Sequence, residues 1–176
     1  MSSRIKRRET LLTASRFRVD RVTYDLENGG QATKEVIQHP GAVVIVPVVS
    51  DGRICLIQNY RVAVDREMIE LPAGTLEPGE PPLETARREL IEETGYRAAE
   101  IKPMMDLLMS PGILYEHMYV FVATELEFGE PDLEHGEEIR NMLVSPEEAR
   151  ELIRTNLICD SKTVSALLYY FSFLTT

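Results

Sequence analysis

Glu89, Glu92 and Glu93 sit within a single run from Gly74 to Tyr96, GTLEPGEPPLETARRELIEETGY, with Gly74 and Glu80 ahead of them and Gly95 behind. Pro81 and Pro82 lack backbone donors that the start of a helix does not need, and Leu83, Ala86 and Leu90 recur at helical spacing. Thr94-Gly95 supplies a flexible exit, so the pattern predicts one helix from about Pro82 to Thr94. At about 100° per residue, Glu89 and Glu93 fall nearly on one line, with Glu92 some way round. Like charges at this spacing repel. A hard divalent cation relieves the repulsion by taking carboxylate oxygens while leaving positions for substrate phosphates. Magnesium is the natural guest, with manganese as a substitute. A plainer reading is a solvated helix laced by Glu84–Arg88 and Arg88–Glu92 pairs. That reading leaves Gly74, Glu80 and Gly95 at their offsets without a reason.

The same residues match, position by position, the signature Gly-x5-Glu-x7-Arg-Glu-U-x-Glu-Glu-x-Gly-U, where U is a bulky apolar or aromatic residue. Gly74, Glu80, Arg88, Glu89, Leu90, Glu92, Glu93, Gly95 and Tyr96 fill it, and in this the chain resembles the Nudix hydrolases. The resemblance implies an α/β fold, a three-layer α/β/α sandwich with a mixed sheet, preceded here by an N-terminal antiparallel β-hairpin. It also implies hydrolysis of a nucleoside diphosphate linked to a further group. Outside the signature, HPGAVVIVPVV, QNYR at Gln58 to Arg61, ELPAG at Glu70 to Gly74, and Pro111 sixteen residues after Gly95 resemble the branch acting on ADP-ribose and nucleoside diphosphate sugars.

From that branch the resemblance implies roles for particular residues. Glu89 and Glu93 are metal ligands that carry catalysis, Glu92 is an additional ligand, and the backbone carbonyl of Ala73 is a further one. Arg61 lies against the diphosphate, where its planar fork suits phosphate. Glu70, Pro111 and Glu116 belong to the substrate side. Glu137, in the acidic stretch Glu134 to Glu138, orients or deprotonates the attacking water. The expected products from ADP-ribose are AMP and ribose 5-phosphate. The branch commonly forms homodimers in which N-terminal strands complete the partner's site. The alternatives are a Nudix hydrolase of a dinucleoside polyphosphate or a damaged nucleotide, or a noncatalytic nucleotide-sensing module.

The 176 residues, 44% of them hydrophobic, suit one domain over residues 1–176, with residues 1–38 as N-terminal, dimer-forming strands and 39–176 as the core. A formal net charge of −10 argues against nucleic acid or an anionic membrane as partner. It also sets a problem, because the expected small-molecule substrate is itself an anion and must be captured by local positive charge. Cys55 and Cys159 have no framework spacing and read as reduced thiols. Arg4, Lys6, Arg7 and Arg8 read as a solvated leader without a membrane span, and cytoplasmic residence is the expectation.

Alternation and turn residues predict strands near 16–26, 33–38, 42–48, 53–60, 101–110, 117–126 and 139–144. They also predict a helix capped by Ser145 and a final apolar helix over 162–173. The chain has no Trp to stack on a base. Phe17, Tyr24 and Tyr60 are the available substitutes.

Overall fold

The computed structural model describes residues 3–130, 133 and 138–175. At its centre is β4 (Ala42–Pro47), AVVIVP, in which every residue is buried. A strand apolar on both faces must be covered on both. Val43 and Ile45 pack on one side with Ala86 and Leu90 of α1 (Pro82–Thr94). Val44 and Val46 pack on the other with Ala149 of α2 (Pro146–Arg154) and Ala166, Leu167 and Phe171 of α3 (Ser161–Phe173). The layers are therefore helix, sheet and helix, as expected. Each fully buried aliphatic side chain contributes about 1.5–3 kcal/mol of transfer free energy.

β4 pairs in parallel with β9 (Leu114–Phe128) and antiparallel with the short β7 (Ala73–Thr75), which makes the sheet mixed. β9 also pairs antiparallel with β8 (Tyr96–Ser110). Beyond β9, the sheet continues through β3 (Gln31–Gln38) and β2 (Arg18–Asp25) to β1 (Ile5–Thr13). A second sheet of β10 (Arg140–Val144), β5 (Ile54–Arg61) and β6 (Arg66–Glu70) lies beside it.

The signature helix has the limits the sequence predicts. Pro82 opens it, and Gly95 closes it with φ of 77°, a left-handed conformation natural to glycine. Ser145 caps α2 in a reciprocal capping box with Glu148. The basic N-terminus departs from the expected leader. Ile5–Thr13 is a strand whose nine residues are all exposed, hydrogen-bonded to β2 in antiparallel register from Ile5↔Tyr24 to Thr13↔Arg18. The expected hairpin is thus the second half of a three-stranded meander. β1 lacks the apolar alternation that marks a strand because neither of its faces is covered. No helix among the described residues is long and apolar enough to cross a membrane.

Candidate active site

A cleft of about 1000 Å³ opens between α1, the Ala73–Pro78 segment, the β1–β2 turn and the start of α3. Glu89 and Glu93 line it from α1, and Ala73 and Gly74 line it from β7. Helical periodicity places the two carboxylates on one face, as the sequence predicts. Glu93 is 5% exposed, and its Oε2 accepts the Ala73 backbone N–H at 2.8 Å. At Gly74, a Cβ would stand 1.8 Å from Cδ of Glu89. Only glycine lets β7 approach the carboxylate this closely.

Arg88 organises the remaining acids. Its Nε and Nη2 donate to Glu80 at 3.2 and 3.1 Å, and its Nη1 reaches both Glu89 and Glu92 at 2.8 Å. The hydrogen bond with Glu80 is the largest influence raising the arginine's pKa, against the opposing effect of burial, and the same bond lowers that of Glu80. Of the two helix pairs anticipated, Arg88–Glu92 forms, while Arg88 spends its other donors on Glu80 and Glu89 instead of Glu84. Glu92 is not part of the cleft lining.

Among the described residues, no three acidic, histidine or cysteine side chains converge on one point. Magnesium does not require such a cage, since it takes one or two carboxylates and completes its shell with water and substrate phosphates. Two carboxylates beside a backbone strand on one open wall form an all-oxygen, anionic donor set that fits a hard divalent cation.

Basic side chains line the same cleft. Arg61 is one of them, with Nε and Nη2 spanning the Glu70 carboxylate at 2.9 and 2.6 Å. Glu70 is 2% exposed and also accepts from Lys162 Nζ at 2.8 Å. Burial alone would raise the Glu70 pKa, but Arg61 and Lys162 outweigh it and hold the carboxyl below its ordinary value. Glu70 does not line the cleft; it holds Arg61 and Lys162, which do. Lys162 bonds Asp160 at 3.0 Å, and Asp160 caps α3 through Thr163 N–H at 3.0 Å. The buried Thr163 hydroxyl accepts the Leu71 N–H at 3.0 Å. The start of α3 therefore holds the end of β6 and Leu71, two residues before Ala73. Sequence reading missed Lys162, whose partner Glu70 lies 92 positions away, and Asp160, which holds Lys162 and Thr163.

Glu116 lines the cleft, 3.5 Å from Nδ1 of His39, another lining residue that the motifs did not single out. Pro111 is exposed at the β8–β9 turn and is not part of the lining. Glu137 lies outside the described residues. Of the three aromatic candidates, Phe17 lines the cleft, whereas Tyr24 and Tyr60 do not, and Tyr60 hydrogen-bonds Asp65.

Comparison with known proteins agrees with this geometry. The family described as NUDIX domain matches residues 38–165. An ADP-ribose pyrophosphatase of Bacillus subtilis (strain 168) is 38% identical over 82% of this chain and 80% of its own. A GDP-mannose pyrophosphatase of Escherichia coli O1:K1 / APEC is 31% identical over 92% of each chain. A crystal structure described as an ADP compounds hydrolase superposes with a TM-score of 0.85 and 26% identity, covering 99% of this chain and 95% of that one. With a glutamate-bearing helix lining a cleft that also carries arginines, and this family match over most of its length, the chain belongs to the Nudix family.

Proposed function

We propose that this protein hydrolyses the diphosphate bond of ADP-ribose or a related nucleoside diphosphate sugar, giving a nucleoside monophosphate and a sugar phosphate, with magnesium as cofactor and manganese as substitute. One observation carries the reading: Glu89 and Glu93 face the same cleft as Arg61, Lys162 and Arg16. An anionic diphosphate needs both kinds of group, acids to receive metal and bases to receive phosphate oxygens.

In this reading Glu89 and Glu93, with the Ala73 carbonyl and Glu92 nearby, hold the cation. When bound, such a cation supplies Lewis acidity that screens the diphosphate and favours attack by water. Arg88 keeps Glu89 and Glu92 oriented through the bonds described above. Arg61, braced by Glu70, presents its guanidinium to phosphate, and Glu116 lines the same cleft beside His39. Glu137 orients or deprotonates the attacking water, as the branch resemblance implies. The exposed β1 supports a homodimer completed through the N-terminal strands, and the two free cysteines suit a reducing cytoplasm.

The test is a panel of ADP-ribose, ADP-glucose, GDP-mannose, diadenosine polyphosphates and 8-oxo-dGTP, each with magnesium and with chelator. Turnover of the diphosphate sugars in magnesium alone is expected. Turnover confined to polyphosphates or the damaged nucleotide would move the protein to another substrate class, and no turnover would favour a sensing module.

A further inference from the structure

The cleft is lined by five Arg or Lys side chains: Arg16, Arg18, Arg61, Arg88 and Lys162. Four of them are held by carboxylates. Arg18 donates to Asp20 at 3.2 Å, Arg61 to Glu70 at 2.6 Å, Lys162 to Glu70 at 2.8 Å, and Arg88 to Glu80 at 3.1 Å. Arg16 forms no hydrogen bond or ion pair among the described residues, although it is exposed on the rim of the same cleft. Its charge is the least neutralised on that rim.

The turn that carries it is firmly built. Ala14 N–H donates to Phe17 O at 2.8 Å, closing the β1–β2 hairpin. Just below, Asp20 is 1% exposed and accepts from Thr10 Oγ1 at 2.9 Å and Arg18 Nε at 3.2 Å, tying the two strands together. A guanidinium on such a mount has a fixed base and a free head. In a chain of net charge −10 the global field repels an anion, so encounter depends on local positive charge at the mouth.

We propose that Arg16 is the residue that captures the anionic diphosphate group at the mouth of the cleft, a substrate-affinity determinant distinct from the metal-binding helix. This rests on the functional reading above. Arg16 contributes to association and holding, and Arg61 and Lys162, already bound to carboxylates, act deeper in the cleft.

The experiment compares wild type, Arg16→Gln, Arg16→Lys and Arg97→Gln. Arg97 is likewise exposed and without an ion pair among the described residues, and it lies outside the cleft, so its loss matches the change in net charge. Steady-state kinetics on ADP-ribose across ionic strength are paired with calorimetric binding of ADP in chelator, which needs no turnover. Arg16→Gln is expected to raise both KM and the ADP Kd by about three- to tenfold at low salt, keep kcat, and flatten the salt dependence. Arg16→Lys should retain most of the affinity, and Arg97→Gln should match wild type. Equal behaviour of Arg16→Gln and Arg97→Gln, or a fall in kcat at unchanged KM, overturns the proposal. Wild-type ADP binding without turnover of any diphosphate sugar would instead count against the functional reading, leaving the ADP titrations to decide on Arg16.

Discussion

At the scale of single residues, the proposed function divides the cleft's side chains into those that would receive metal and those that hold others in place. Glu89→Gln and Glu93→Gln should each lower kcat by orders of magnitude while the fold persists. Removing one charge from a crowded patch should even raise the metal-free melting temperature slightly. Thermal melting in chelator, run beside turnover in magnesium, checks both halves, and near-normal turnover would remove these acids from catalysis. Gly74→Ala gives an orthogonal test, because its Cβ would stand 1.8 Å from Glu89 Cδ and the carboxylate must move. Activity should fall nearly as far as in Glu89→Gln. Glu137→Gln should reduce kcat by about 10²–10⁴-fold, the range for a general base, while leaving KM and the magnesium requirement nearly unchanged. If that variant is silent and Glu138→Gln is not, the base sits one position along. Cys55 is chemically quiet: burial pushes its thiol up to about 12, so native protein should be alkylated at Cys159 alone, read by peptide mass.

At the scale of elements, α3 is a brace for the active-site wall. Its first turn bonds Glu70 of β6 through Lys162 and Leu71 through Thr163, with Asp160 holding both. The pH dependence of this brace follows from Glu70. Its folded pKa lies below the ordinary 4.5, so its stabilising contribution is fully present above that value and is lost as pH falls through the depressed one. Melting temperature followed from about pH 7 to about pH 3 should therefore fall less steeply in Glu70→Gln than in wild type. At neutral pH the variant should be the less stable, since Arg61 and Lys162 lose a buried counter-charge. Parallel curves would show that the pair carries no linked stability. Thr163→Val leaves the Leu71 N–H without its acceptor and should cost about 1–3 kcal/mol, measurable by urea denaturation.

At the scale of the whole molecule, β1 is an uncovered edge. Leu11 and Leu12 are 42% and 53% exposed on a strand with no covered face. Such an edge invites pairing with another chain. Sedimentation velocity should give a dimer, and Leu12→Lys should shift the population towards monomer and make melting temperature more dependent on protein concentration. A wild-type monomer at micromolar concentration would show that β1 has another use.

The amino-acid sequence by itself determined the signature helix, its limits and the face bearing Glu89 and Glu93. Those follow from proline, glycine and a 3.6-residue period, all local quantities. It also determined β4 as a strand buried on both sides, because six consecutive apolar or small residues leave no polar face. Only the tertiary structure decided that Lys162, and Asp160 through it, belong to the cleft, since the lysine's partner Glu70 is distant in sequence and a lone lysine at a helix start carries no signal of it. The same holds for Arg16, whose significance lies in the carboxylates that its four neighbours have and it lacks, and for β1, whose pairing is set by backbone bonds to β2 and leaves no apolar alternation to read.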